Sequence, residues 1–177
     1  VHLDAASDVI HNGSIPKWIK TANALKARML NKVSKTPSYN PTAILEALSK
    51  AYTSNADDAQ INTFVGRSPW NQVAFNNTQL LLDGWLSEQF VDHLDGTTYG
   101  VFDPRLKYIT DTTRFGDYRG TPNGRGRTGT GTTRDESYLS LNGFYSKTGA
   151  PLLLITYAEL KFIEAEVAFR NNDKPRA

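Results

Sequence analysis

The chain has 177 residues, 39% of them hydrophobic and 21% charged, with a formal charge of +2 and no cysteine. That is enough chain to bury a core, it excludes disulfides and cysteine-held metals, and the charge is too small to call by itself for a polyanionic partner. No apolar run approaches the roughly 18 residues that span a bilayer, no segment has the makeup of a signal peptide, and the polar start at Val1 and turn-like end at Ala177 read as the limits of a piece of a longer protein.

The first element is an amphipathic helix over 16–34. At about 100° per residue, Trp18, Ile19, Ala22, Leu25, Met29, Leu30 and Val33 share one broad stripe, with Ser14 as cap and Pro16 in the first turn. Lys26 falls within that stripe, so its ammonium must snorkel or pair. Asn40-Pro41 is a second start signal, followed by Ile44, Leu45, Leu48 and Tyr52 at helical spacing. Residues 54–75 read as polar and irregular. A third helix is expected from about Asn77 to Leu94, packing Leu81, Leu82, Trp85, Leu86 and Phe90.

From Gly96 to Ala150 the helical period is lost, and glycine, threonine and arginine dominate. This reads as loop with a few short strands, and a loop that long is usually functional or mobile. Asp95-Gly96 reads as a helix end. A fourth helix is expected from Leu152 to Arg170, apolar on two sides. Leu154, Ile155, Tyr157, Ala158, Phe162, Ala165, Ala168 and Phe169 form one side and Leu160, Ile163 and Val167 the other. Between them runs a strip of Glu159, Glu166 and Arg170. Such a helix packs between neighbours, as in a stack of helical hairpins.

Gly124-Arg125-Gly126-Arg127-Thr128-Gly129 matches G-x-G-x-x-G, but neither the strand before it nor the helix after it is present, so it reads as a surface loop. Arg105, Lys107, Arg114, Arg119, Arg125, Arg127 and Arg134, with Tyr108, Phe115 and Tyr118 interleaved, raise the idea of single-stranded nucleic acid. The competing reading is a solvated loop on a near-neutral protein, and it is preferred. Glu159, Glu164 and Glu166 read as structural: Glu166 has Arg170 four residues on and Glu164 has Lys161 three residues back. The histidines at 2, 11 and 93 have no ligand spacing, and no nucleophile elbow, zinc motif or P-loop is present. These observations call for no cofactor, no metal and no catalytic residue.

Aromatic residues in irregular segments are more suggestive: Trp70, Tyr99, Phe102, Tyr108, Tyr118, Tyr138, Phe144 and Tyr145. Flat rings in loops can stack on the apolar C–H faces of sugars, or can anchor the loops to a core. Trp70, Tyr99 and Tyr118 are the candidate ligand contacts.

Four segments, in order, resemble one family. Asp8-Val-Ile-His-Asn-Gly with Lys17-Trp18-Ile-Lys20-Thr-Ala22-Asn23-Ala-Leu25-Lys26-Ala-Arg28 is similar to its D-x-x-Y-x-G-D … K-W-x-K-x-A-N-x-L-x-x-R helix, with His11 in place of the usual tyrosine and Ser14-Ile15 where Gly-Asp is usual. Asp103-Pro104-Arg105-Leu106 matches D-P-R-L. Tyr118-Arg119-Gly120-Thr121-Pro122-Asn123-Gly124 resembles Y-x-G-x-P-x-G, and Leu152–Asn172 resembles L-x-T-Y-A-E-x-x-F-x-x-A-E. The family is the SusD/RagB type of nutrient-binding outer-membrane lipoprotein.

The resemblance implies a mostly α-helical, tetratricopeptide-like helical-repeat scaffold carrying long irregular loops and few strands. It implies one partial domain over 1–177, with 96–150 a loop-rich insertion in it. It also implies a binding protein, not an enzyme. Such a protein sits on the cell surface, held to the outer membrane by a lipid anchor outside this chain, and passes oligosaccharides to a TonB-dependent (SusC-like) transporter. A peptide-binding member of the same family, and a helical-repeat interaction scaffold without a small ligand, are the alternatives.

Overall fold

Asn40 and Pro41 start a helix as their order requires. In the computed structural model, which describes residues 3–79, 85–126 and 134–177, the Asn40 side chain accepts the Ala43 N–H at 3.0 Å and Pro41 takes the first turn, where its missing N–H costs nothing. This is α2, Pro41–Ser49. It follows α1, Ile15–Lys32, and precedes α3, Pro69–Thr78, α4, Glu88–Asp95, and α5, Tyr157–Arg170. The described residues are mostly helical, with two short strands, β1 at Ala59–Ile61 and β2 at Leu152–Ile155, paired as a two-stranded sheet. The chain divides into two compact units, Val1–Asn62 with Leu153–Ala177, and Thr63–Leu152.

In the first unit α1, α2 and α5 close on a core of Ala24, Ala27, Ile44, Ala47, Ala51, Leu160, Ile163 and Val167. Alanines dominate the side contributed by α1 and α2, so helix backbones approach closely there. The buried face of α1 is therefore Thr21, Ala24 and Ala27, while Ile19, Leu25 and Met29 stay exposed and Lys26 lies among them in solvent. The expected stripe was set by side-chain size; the actual face is set by how near the helices come.

The start of α1 is held by one carboxylate. Asp8 accepts the backbone N–H groups of Ile10, His11 and Gly13 and the Trp18 indole N–H, at 3.1, 3.1, 2.8 and 2.7 Å. Burial pushes its pKa up, and these bonds outweigh it, holding the group at about 2. Ser14 occupies the cap position but makes no side-chain cap bond. The turn needs Gly13, at φ +78°, where a Cβ would meet the Leu3 carbonyl oxygen at 2.7 Å. His11 is buried against Trp18, its Nε2 is 2.7 Å from the Thr21 hydroxyl, and Thr21 is 2.9 Å from the Tyr52 hydroxyl.

Residues 152–155 are the strand β2 and not the first turn of the last helix. A run of leucines and isoleucine closed by Thr156 pairs with β1, and Thr156 caps α5 by accepting the Glu159 N–H at 3.2 Å. Leu160, Ile163, Val167 and Ala168 of α5 are buried, while Phe162 and Phe169 are 75% and 71% exposed. Only one of the two apolar sides is covered in this chain. The glutamates are structural, as expected: Glu166 pairs with Arg170 at 2.8 Å, Glu164 with Lys161 at 2.6 Å, and Glu159 with Arg28 of α1.

The second unit has a small and partly polar core. Ala74, Val91, Leu106, Leu139 and Ala150 are buried beside Asn71, Thr110, Ser137, Ser140 and Ser146. These polar groups are satisfied locally. Asn71 donates to the Ser146 carbonyl at 2.6 Å, Thr110 to the Tyr138 carbonyl at 2.7 Å, and Ser146 to the Ser140 carbonyl at 2.5 Å. The expected irregular stretch at 54–75 contains β1 and the start of α3, because Ser68-Pro69 is another cap-plus-proline signal, with Ser68 accepting the Asn71 N–H. The expected helix over 77–94 is also revised. Leu81 and Leu82 lie outside the described residues, Trp85 forms a β-bridge with Tyr138, and the helix starts only at Glu88 after the Ser87 cap.

Two outcomes test this packing. Burial lowers the His11 pKa; the charges of Asp8 and Asp57 push it back up and that of Lys17 pushes it down. The stability that neutral His11 contributes is complete above the unfolded value near about 6.5 and is lost as pH falls through the lowered folded value. Thermal melts should therefore drop on acidification below neutrality, before the carboxylates titrate, and His11→Gln should flatten that first drop. The Arg28 guanidinium meets Glu159 twice at 2.5 Å and the Leu154 carbonyl at 2.8 Å. A double-mutant cycle with Arg28→Ala and Glu159→Ala should return a coupling of about 1 kcal/mol by chemical denaturation.

Candidate functional site

The short helix α4 carries two different faces. Glu88, Asp92 and Asp95 stand at i, i+4 and i+7, and Phe90 and Leu94 at i and i+4. Val91 between them is fully buried and seats the helix. The first face borders an open cleft of about 540 Å³, whose other walls come from Thr97, Phe115, Asp117, Tyr118, Arg119, Gly120, Pro122, Asp135 and Glu136. The second borders an apolar groove of about 460 Å³ with Arg105, Tyr108, Ile109, Phe144 and Tyr145.

Two of the motifs singled out in the sequence position this helix. At its start, Glu88 donates its backbone N–H to the Thr121 carbonyl at 2.9 Å, and Thr121 donates to the Leu86 carbonyl at 2.8 Å. Gly120 makes that approach possible: a Cβ there would stand 2.2 Å from the Glu88 Cα. At its end, Gly96 takes φ +99°, the left-handed cap that ends a helix, and Asp103 donates its N–H to the Leu94 carbonyl at 2.7 Å. Asp103 then grips Arg105 through the backbone N–H at 2.9 Å and the guanidinium at 2.5 Å, which holds its pKa at about 2. Leu106, the last residue of this D-P-R-L segment, is fully buried.

The arginines of the loop face carboxylates. Arg105 pairs with Asp103, Arg119 with Asp117 at 2.6 Å, Arg134 with Asp111 at 3.5 Å, and Arg114 with Asp135. The guanidinium groups of Arg114 and Arg119 both lie over the Phe115 ring, at 4.7 and 4.4 Å from its centroid. Asp117 accepts from the Thr113 hydroxyl and from Arg119, and the first of these contributes most to lowering its pKa. With its charges paired and one aromatic ring covered by cations, this loop offers no basic track for nucleic acid. Gly124 and Gly126 take positive φ in a turn, and the remainder of the G-x-G-x-x-G segment, with Arg127, lies outside the described residues.

The three candidate aromatics are placed differently. Tyr118 is half-buried in the cleft wall, tilted against Phe102 at 5.9 Å between centroids. Tyr99 is 67% exposed and lies 5.2 Å from the His93 ring, two residues after the cleft residue Thr97. Trp70 is 49% exposed in the first turn of α3 and borders neither cavity among the residues described. Sequence reasoning missed Glu88, Asp92 and Asp95. Their spacing after Ser87 was the available signal, but a helix drawn from 77 hid it. Phe90, expected on a packed side, instead faces the groove.

Comparison with known proteins gives the frame for this geometry. Residues 2–173 match the SusD-like family model described as starch-binding associating with outer membrane. The chain belongs to the SusD-like family. No curated protein sequence matches it. Among solved structures, a SusD homologue from Bacteroides ovatus superposes with a TM-score of 0.72 at 22% identity, covering 96% of this chain and 35% of that one. A chitin-binding SusD homologue from Flavobacterium johnsoniae gives 0.73 at 21% identity, covering 97% and 34%. A SusD/RagB family protein from Bacteroides thetaiotaomicron gives 0.68 at 24% identity, covering 95% and 36%. At these identities the likeness is one of fold, and this SusD-like chain spans about a third of the length of those structures. No described helix is long and apolar enough to cross a membrane.

Placement of α4 by Gly120 has a direct check. Gly120→Ala should destabilise the protein by about 1–3 kcal/mol, because the methyl group meets backbone and not a movable side chain. Amide exchange should rise at Glu88 and Thr121, and the start of α4 should lose protection before α1 and α2 do.

Proposed function

We propose that this chain is the glycan-binding part of a SusD-like protein that delivers oligosaccharides to a TonB-dependent transporter at the outer membrane. The surface-exposed, lipid-anchored location and the transporter partner belong to this reading. It treats the chain as a binding protein and not an enzyme. The observation that carries it is the cleft beside α4. It joins the Tyr118 ring to carboxylates and a hydroxyl that accept from sugar hydroxyl groups, within a volume suited to a few sugar units. The family description and the chitin-binding neighbour support the ligand class.

In this reading Tyr118 stacks on a sugar face, Tyr99 meets the part of a longer chain that leaves the cleft past Thr97, and Trp70 is a separate exposed platform. Calorimetric titration with malto- and chito-oligosaccharides, and with peptides, tests it. Tyr118→Ala should weaken glycan binding by about tenfold, and Tyr99→Ala and Trp70→Ala should matter only for longer oligosaccharides. A variant that lowers the melting temperature and leaves affinity intact marks that ring as an anchor. No heat with any glycan, beside clear binding of a peptide, moves the protein to the peptide-binding branch of the family.

A further inference from the structure

We infer that the cleft beside α4 selects glycans bearing free amino groups over their uncharged counterparts, and rejects glycans bearing carboxylates. This rests on the glycan-binding reading and adds the charge of the ligand to it. The cleft is a binding site by its concavity and its tyrosine; its charged groups determine what that site accepts.

Among the described residues its walls carry Glu88, Asp92, Asp95, Asp117, Asp135 and Glu136 against the single cation Arg119. That cation is already engaged, by Asp117 at 2.6 Å and by the Phe115 ring. Arg114, its neighbour on the same ring, is engaged by Asp135. The nearby positive charge is therefore spent within the wall. Along α4, Glu88, Asp92 and Asp95 form no ion pair with a described residue, and they point the same way at i, i+4 and i+7. Glu136 adds a carboxylate that is buried in the wall.

A concave surface with one sign of charge focuses its field into the cavity. An uncharged sugar meets this field only through hydroxyl donors, which carboxylates accept. A sugar ammonium gains the same hydrogen bonds and an ionic attraction besides. A uronic acid brings a like charge next to groups that have no cation to spare. The apolar groove on the other face of α4, lined by Phe90, Tyr108, Phe144 and Tyr145, has no such charge and exerts no such selection.

A matched set of short ligands separates the possibilities: a glucosamine tetramer, its fully N-acetylated form, a galacturonate tetramer and trilysine, titrated calorimetrically at low and high salt. The expected result is about fivefold tighter binding of the glucosamine tetramer than of its acetylated form at low salt, loss of that advantage at high salt, and no binding of the galacturonate. Asp92→Asn should bring the ratio of the two affinities towards one, with Glu88→Gln as the second variant and a thermal melt confirming that each is folded. Equal or tighter binding of the acetylated form at low salt, or any binding of the galacturonate, overturns the charge selection and leaves the glycan reading standing. A ratio unchanged in both folded variants also overturns it. Trilysine binding more tightly than every glycan overturns it in favour of a basic peptide. The absence of binding by all the glycans removes both readings together.

Discussion

The second unit depends on a close approach of backbone to backbone. Gly120 lies against the first residue of α4, where any side chain would overlap the Glu88 main chain. Two hydrogen bonds join Thr121 to residues 86 and 88 across that contact. The helix is short and has only Val91 fully buried, so it cannot fix its own orientation. The loop fixes its start, and the Asp103–Leu106 segment fixes its end. Once both ends are held, the carboxylate face and the apolar face of α4 have defined cavities to border. Within the family resemblance, the Y-x-G-x-P-x-G and D-P-R-L segments are thus explained by what they hold and not by contact with a ligand.

Charge is distributed by local pairing, and the near-neutral total conceals it. In the first unit Lys20 meets both oxygens of Asp57 at 2.9 Å, and Arg28 meets Glu159. Asp57 also accepts from the Thr53 N–H and hydroxyl; burial pushes its pKa up, and these bonds with the Lys20 charge bring it to about 2. In the second unit the arginines turn towards the aspartates of their own loops. What is left over is the acidic face of α4. A net charge of +2 would predict no acidic surface, yet one exists, because the cations are used within the walls.

Features settled by neighbours in the chain were legible from residue order. Asn40-Pro41 makes a helix start, Asp95-Gly96 a helix end, Glu166 with Arg170 an ion pair, and Glu164 with Lys161 another, because each needs only the residues within one helical turn. The long loop from 96 to 150 was legible for the same reason: its composition supports no helical period. The order of four motifs placed the chain in its family without any structure.

Features that depend on partners distant in the chain were not legible. The buried face of α1 became Thr21, Ala24 and Ala27 because helix spacing, not side-chain size, decided the packing. Residues 152–155 became a strand because β1, some ninety residues earlier, offers an edge to pair with. The arginine loop lost its basic character because Asp103, Asp111, Asp117 and Asp135 turn towards it. Residue order by itself determined the family, the helical class and the local caps and pairs. Only the tertiary structure decided which faces are buried and which carboxylates border the cleft, because those depend on chain segments brought together by folding and not by adjacency.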